Sequence, residues 1–209
     1  MNSGVTSERV YDALKRRLLS GAHLPGERLE PARFAEELAS SVTPVRDALN
    51  RLVGERLVET RASDGFHLPV VTEAHLRDLY GWNAALIALA VHGWTDIGPA
   101  RRADALAADA PRAAAMLFAL VGLRSSNPEH GAQIAACNDR LAAIRVAESH
   151  ALRNAEAELR AMAMAFDHEP QAALLKLTRA YHRRRIAAAP DIVRARYAAS
   201  VYNRSTDDL

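Results

Sequence analysis

The chain has 209 residues, 49% of them hydrophobic, with 27 Lys and Arg against 25 Asp and Glu for a net charge of +2. That length builds one large or two small globular domains, and the composition excludes a disordered or fibrous chain. The single cysteine, Cys137, excludes an internal disulfide and a cysteine-rich metal site. No apolar run reaches membrane-spanning length and MNSGVTSERV lacks the apolar core of a signal peptide, so a cytoplasmic protein is expected.

Thr6 to Ser20 reads as a helix with Ser7 as its cap and Val10, Leu14, Leu18 and Leu19 on one face. Gly21 stops it, and Leu24-Pro25-Gly26-Glu27 is a turn. Arg28-Leu29 is a brief extended segment. Pro31 opens a second helix with Phe34, Ala35 and Leu38 facing inward, and residues 39–42 turn. In the third helix Thr43 is the expected N-cap and Pro44 the first helical residue. Val45, Ala48, Leu49, Leu52 and Val53 form its apolar stripe, leaving Arg46, Asn50 and Arg51 on other faces. A short helix with a polar first turn and nearby basic residues suits the DNA major groove, about 12 Å wide. Leu57 to Arg61 and Phe66 to Val71 alternate as strands around the polar turn Ala62 to Gly65, a hairpin. Three helices and a hairpin in this order are the layout of a winged helix-turn-helix. Residues 1–71 nevertheless carry ten basic and ten acidic side chains, so any basic footprint must come from arrangement rather than total charge.

No convincing strand follows. Thr72 caps a long helix through Leu76, Leu79, Leu86, Leu89 and Ala90 that ends near Gly93. Gly98-Pro99, Pro111, Asn127-Pro128, Pro170 and Pro190 then punctuate the chain as helix starts. Helices are expected near 101–109, 112–124, 129–149, 151–166, 171–188 and 191–203. The expected fold is therefore mainly α: a winged helix-turn-helix over 1–71, then an all-helical bundle over 72–209.

The run from Ser20 to Leu29 (S-G-x-x-x-P-G-x-x-L), Phe34 to Leu38 (F-A-E-E-L) and Ser41 to Leu49 (S-x-T-P-V-R-x-A-L) resembles GntR-type transcription regulators in order and spacing. The helical remainder resembles, more loosely, the effector domain of the FadR-like subgroup. The best agreements there are Leu79-Tyr80, Phe118 to Asn127 and Tyr181-His182-Arg183-Arg184. The resemblance implies a homodimeric regulator that binds double-stranded DNA at a near-palindromic site. It also implies a 72–209 domain that dimerises and binds a small-molecule effector. On matching positions Ser41, Thr43 and Arg46 would contact phosphates and base edges, Arg46 reading a base, and Gly65 would lie at the wing tip. Arg33 and Arg51 are further DNA candidates, each equally readable as a solvated helix charge. Asn83, Tyr181 and His182 are the candidate effector residues.

Three departures stand out. Val42 replaces an arginine usual in relatives, Ser40 replaces an apolar residue, and Arg56 replaces a glycine. A left-handed conformation at Arg56 would cost about 1–2 kcal/mol, unless the turn uses Gly54 instead. Much of the subgroup binds a divalent metal through an Asp and three His, but AAAMLFALVGLRSSN lacks the first two ligands. Glu156 lies near the third position and only His182 matches the last, so no metal and no cofactor is expected. Arg183-Arg184-Arg185 reads as a basic solvated face or as a steering patch for an anionic effector, and Trp82 and Trp94 read as core. No phosphate loop, nucleophile elbow or Cys-His pairing points to an enzyme. An interaction module whose winged helix has lost strong DNA binding is the competing reading.

Overall fold

Val10, Tyr11, Leu14 and Leu18 recur at helical spacing, and their side chains are buried along α1 (Ser3–Leu19). The computed structural model describes residues 3–62, 64–94 and 109–207, with side chains over 7–62, 64–94 and 109–198. They divide into two compact units, Met1–Val71 with Tyr197–Leu209, and Thr72–Arg196.

In the first unit α1 begins at Ser3, so Ser7 lies inside the helix rather than capping it. Gly21 (φ 84°) takes the left-handed conformation just beyond α1. β1 (Arg28–Leu29) leads into α2 (Pro31–Glu37), which Pro31 opens, and then α3 (Val42–Gly54). The hairpin is shorter than its alternation suggests, with β2 at Glu59–Arg61 and β3 at Gly65–His67. The brief segment Arg28–Leu29 pairs antiparallel with β3, giving a three-stranded sheet of order β1-β3-β2. One core holds it together: Val10, Leu14 and Leu18 of α1, Phe34 of α2, Val45, Leu49 and Leu52 of α3, and Leu29 of β1.

Both helices of the helix-turn-helix end in the same way. After α2, Ser40 N–H donates to Ala35 O (2.9 Å) and Ala39 N–H to Glu36 O (3.2 Å). After α3, Leu57 N–H donates to Leu52 O and Arg56 N–H to Val53 O, each at 3.0 Å. This paired bonding is the Schellman ending, whose hinge residue is left-handed and usually glycine. Here the hinges are Ala39 (φ 48°) and Arg56 (φ 60°). The turn after α3 thus uses Arg56, not Gly54, and accepts the strain. Arg56→Gly and Ala39→Gly are each expected to stabilise the chain by about 0.5–1 kcal/mol in urea unfolding. Unchanged or lower stability in both would contradict this account of the hinges.

The second unit opens with α4 (Glu73–His92), where Thr72 Oγ1 accepts from His75 N–H at 3.2 Å. α5 (Ala110–Leu123), α6 (Pro128–Ala151), α7 (Ala155–His168) and α8 (Gln171–Ala187) follow, and α9 (Ala189–Asp207) begins in this unit. Asp109 and Asn127 cap α5 and α6 with their side chains, and Pro111 and Pro128 sit in the first turns. α5 and α6 come together because Gly122 and Gly131 face each other; a Cβ on Gly122 would stand 2.8 Å from Gly131 Cα. The helix expected near 101–109 falls almost wholly outside the described residues.

Candidate nucleic-acid interface and buried polar cluster

The first turn of α3 is set one step earlier than its hydroxyls suggest. Ser41 is the N-cap (φ −84°, ψ 165°), Val42 the first helical residue, Thr43 the second and Pro44 the third. Thr43 therefore does not cap the helix. Pro44 is tolerated because no N–H of the first turn has an intrahelical partner. Ser41 makes no side-chain cap bond, so both hydroxyls stay exposed at the helix start. Arg46, one turn further on, is exposed and has no carboxylate partner among the described residues. Asp47 and Asn50 complete the same exposed face.

The other candidates are more engaged. Arg33 Nε pairs with Glu37 Oε1 at 2.9 Å, and Arg17 pairs with the same carboxylate. Arg51 stacks on the Tyr11 ring at 3.6 Å and pairs with Glu8 at 3.0 Å and Glu55 at 3.7 Å. Glu55 also accepts from Tyr11 (2.6 Å) and Lys15 (2.7 Å). Arg51 thus braces α3 against α1. Gly65 (φ 80°) is exposed at the start of β3, next to the hairpin turn, and Arg28 pairs there with Asp64 at 3.6 Å. The even charge count of residues 1–71 therefore conceals an arrangement. Acidic side chains hold many of the basic ones, and Arg46 stands free on the exposed face of α3.

In the helical unit, Asn83, Tyr181 and His182 come together inside the bundle. His182 Nδ1 lies 2.7 Å from Thr178 O, and Nε2 lies 2.8 Å from Asn83 Oδ1. Burial, with the Arg185 and Arg145 cations nearby, pushes His182 down to about 4, so the ring is neutral. Its one proton belongs on Nδ1, and the Asn83 amide must turn its N–H toward Nε2. Phe118 stacks on the imidazole at 5.6 Å and meets Tyr181 edge-on at 5.3 Å.

Around this trio lies a buried charge network. Glu148 accepts from Tyr80 Oη at 2.5 Å and from Arg185 Nε at 2.7 Å. Arg185 also donates to Glu158 at 2.8 Å and sits 3.2 Å over the Tyr181 ring. Burial pushes the Tyr181 phenol up to about 12, so it stays a protonated donor. Arg145, 2% exposed, donates to Asn138 Oδ1 at 2.9 Å and lies over Phe118. Its Nε and Nη1, and the Tyr181 hydroxyl, have no hydrogen-bond partner among the described residues. Both carboxylates go to Arg185, and among the described residues the Arg145 cation has none.

Two expectations are corrected. Arg183-Arg184-Arg185 is not one solvated face: Arg185 is buried, one turn from Tyr181, and Arg184 pairs with Glu158 at 3.3 Å. Trp82 is 47% exposed on α4 rather than core, whereas Trp94 packs edge-on against Phe166 and donates Nε1–H to Val121 O. Arg145, Asn138 and Glu148 belong to the buried polar cluster and were missed by sequence reasoning. Their signal was present: all three fall on the α6 stripe with Ile134, Cys137, Leu141 and Ile144.

A divalent metal does not fit beside His182. Its Nδ1 faces Thr178 O, its Nε2 is occupied by the Asn83 side chain, and Phe118 covers the ring face. Among the described residues no three His, Cys, Asp or Glu side chains converge as metal ligands. Glu156 instead pairs with Arg160 on the surface. A separate cleft of about 530 Å³ lies at the α6–α7 turn between Ser149, His150, Arg153, Asn154 and Arg160.

A helix-turn-helix with a small wing, whose second helix offers a free arginine, is a DNA-binding class of domain. Residues 6–68 match the family described as bacterial regulatory proteins, gntR family. The HTH-type transcriptional regulator McbR of Escherichia coli (strain K12) is 36% identical over 91 residues, 42% of this chain and 41% of that protein. The Nta operon transcriptional regulator of Aminobacter aminovorans is 44% identical over 62 residues, 30% of each chain. The chain thus spans well under half the length of these curated relatives. They are regulators by name, not enzymes. Over nearly full length, the fold is that of a GntR transcriptional regulator from Rhodococcus sp. RHA1 (TM-score 0.75, 18% identity, 88% of this chain and 96% of that one). It is also that of E. coli McbR/YncC (TM-score 0.67, 23% identity, 90% and 98%).

Proposed function

We propose that the chain is a ligand-responsive, DNA-binding transcription regulator of the GntR type, acting as a cytoplasmic homodimer on a near-palindromic operator. The observation that carries this reading is Arg46: an unpaired, exposed guanidinium one turn into α3 of a domain that matches the gntR family. An arginine so placed pairs bidentately with guanine in the major groove. Ser41, Thr43 and Arg33 would hold phosphates, and Gly65 would bring the wing to the backbone. No helix among the described residues is long and apolar enough to cross a membrane.

The helical unit would bind the effector at Asn83, Tyr181 and His182. Arg145 narrows its chemistry to an anion, because a buried cation with two unpartnered N–H groups favours a carboxylate or phosphate. A panel of small carboxylates and phosphates, read by thermal shift, should raise the melting temperature with at least one member. Arg145→Met should abolish that shift; a neutral ligand with an Arg145-independent shift would contradict the anionic reading.

The even charge count of residues 1–71 favours one competitor, an interaction module that no longer binds DNA tightly. A gel-shift with duplex DNA from beside the gene separates the two. Specific retardation with two chains per duplex is expected; no retardation at micromolar protein favours the competitor.

A further inference from the structure

We propose that Val42 is a specificity-determining residue that reads the C5-methyl group of a thymine in the major groove. This rests on the DNA-binding reading above and adds a second base contact to it. Across residues 7–62 and 64–71, Val42 and Val70 are the large apolar side chains left exposed. Val70 lies against the Gly26 turn, its Cγ2 3.4 Å from where a Cβ on that glycine would stand. Val42, 38% exposed, opens α3 instead, at the border between the buried Val45 and Leu49 and the exposed Thr43, Arg46 and Asn50.

An isopropyl group at the edge of a polar reading face has one matching chemistry in the groove. Of the four bases, thymine alone carries a methyl group there. Valine suits this contact because its branched Cβ holds one preferred rotamer in a helix, so little freedom is lost on docking. Position fixes the register as well. Val42 and Arg46 are one turn apart on neighbouring positions, a rise of about 6 Å along the helix. Base pairs repeat every ~3.4 Å, so the thymine should lie within about two base pairs of the guanine read by Arg46.

The test is selection of duplexes from a random-sequence pool by the full chain, followed by affinity measurements at fixed salt. The wild type should enrich a T·A pair in each half-site, within two base pairs of a G·C pair that Arg46→Ala no longer requires. Replacing that thymine with uracil removes only the methyl and should weaken wild-type binding about fourfold, the loss expected for one buried methyl. Val42→Ala should show no further uracil penalty, and Val42→Arg should select G·C in place of T·A. If uracil costs the wild type nothing, or Val42→Ala keeps the full penalty, the Val42 assignment falls while DNA binding stands. If the pool yields no enriched sequence, the DNA-binding reading falls and this inference with it. The uracil arm uses the unaltered protein, so misfolding of a variant leaves the test intact.

Discussion

Glu148→Leu should cost the helical unit about 3–5 kcal/mol, the largest stability loss expected of any single change in this chain. Glu148 is 4% exposed and accepts from Tyr80 Oη at 2.5 Å and Arg185 Nε at 2.7 Å. Removing it strands part of a buried guanidinium, and an uncompensated buried charge costs far more than the ion pair contributes. Glu148→Leu/Arg185→Met should therefore recover most of the loss. Glu158 keeps Arg184 at 3.3 Å in that double variant. Both tryptophans, Trp82 and Trp94, belong to the second unit, so their fluorescence during urea unfolding reports this unit. A single-variant loss under 1 kcal/mol, or no recovery in the double, would contradict the network as described.

The second large effect is a pH dependence carried by His182. Its folded-state value lies near 4, below the ordinary histidine value of 6.5, because burial and two neighbouring cations disfavour its charged form. A group that resists protonation only when folded contributes stability above its unfolded value. As pH falls from about 6.5 to 4 the unfolded chain takes up the proton first, and the contribution is lost. The loss over that window is roughly 3 kcal/mol. Carboxylates titrate in the same range, so the informative quantity is the difference between wild type and His182→Gln. The variant should be less stable at pH 7 and shallower in its pH dependence between 6.5 and 4. Parallel curves for the two proteins would show that His182 titrates alike folded and unfolded.

Much of the fold was legible because it rests on periodicity. Val45, Ala48, Leu49 and Leu52 at helical spacing define α3 without any tertiary knowledge, and all four are buried. Boundaries were less legible where two residues offered the same local chemistry. Ser41 and Thr43 are both good caps, and Pro44 fits anywhere in a first turn, so the choice of Ser41 depends on how the preceding turn closes. Arg56 shows tertiary structure overriding propensity. Its left-handed turn is held by backbone bonds from Leu57 and Arg56 back into α3, despite the cost of its Cβ. The pairing of β1 with β3 is non-local and leaves no trace in two residues of sequence.

The candidate sites were legible in unequal measure. Arg46 stands out in the sequence as a cation off the apolar stripe, and its freedom from ion pairs emerges only when Glu37, Glu8 and Glu55 are seen to hold other arginines. Arg185 was hidden in a run of three arginines, because which of them faces inward depends on the phase of α8 against its neighbours. Arg145 and Glu148 were hidden differently: each sits on a stripe whose other members are apolar, where a polar residue means a buried partner or a ligand.

The central claim is that α3 reads DNA through Arg46. Fluorescence anisotropy of a specific and a scrambled duplex, titrated at several fixed salt concentrations, tests it directly. Arg46→Ala should lose about 1–3 kcal/mol of specific affinity and relax preference at one position in each half-site, with scrambled-duplex binding little changed. Arg33→Ala, at the residue proposed to hold a phosphate, should weaken both duplexes alike and flatten the salt slope by about one charge. Unchanged affinity and unchanged preference in Arg46→Ala would contradict the claim and return the first unit to a non-reading role.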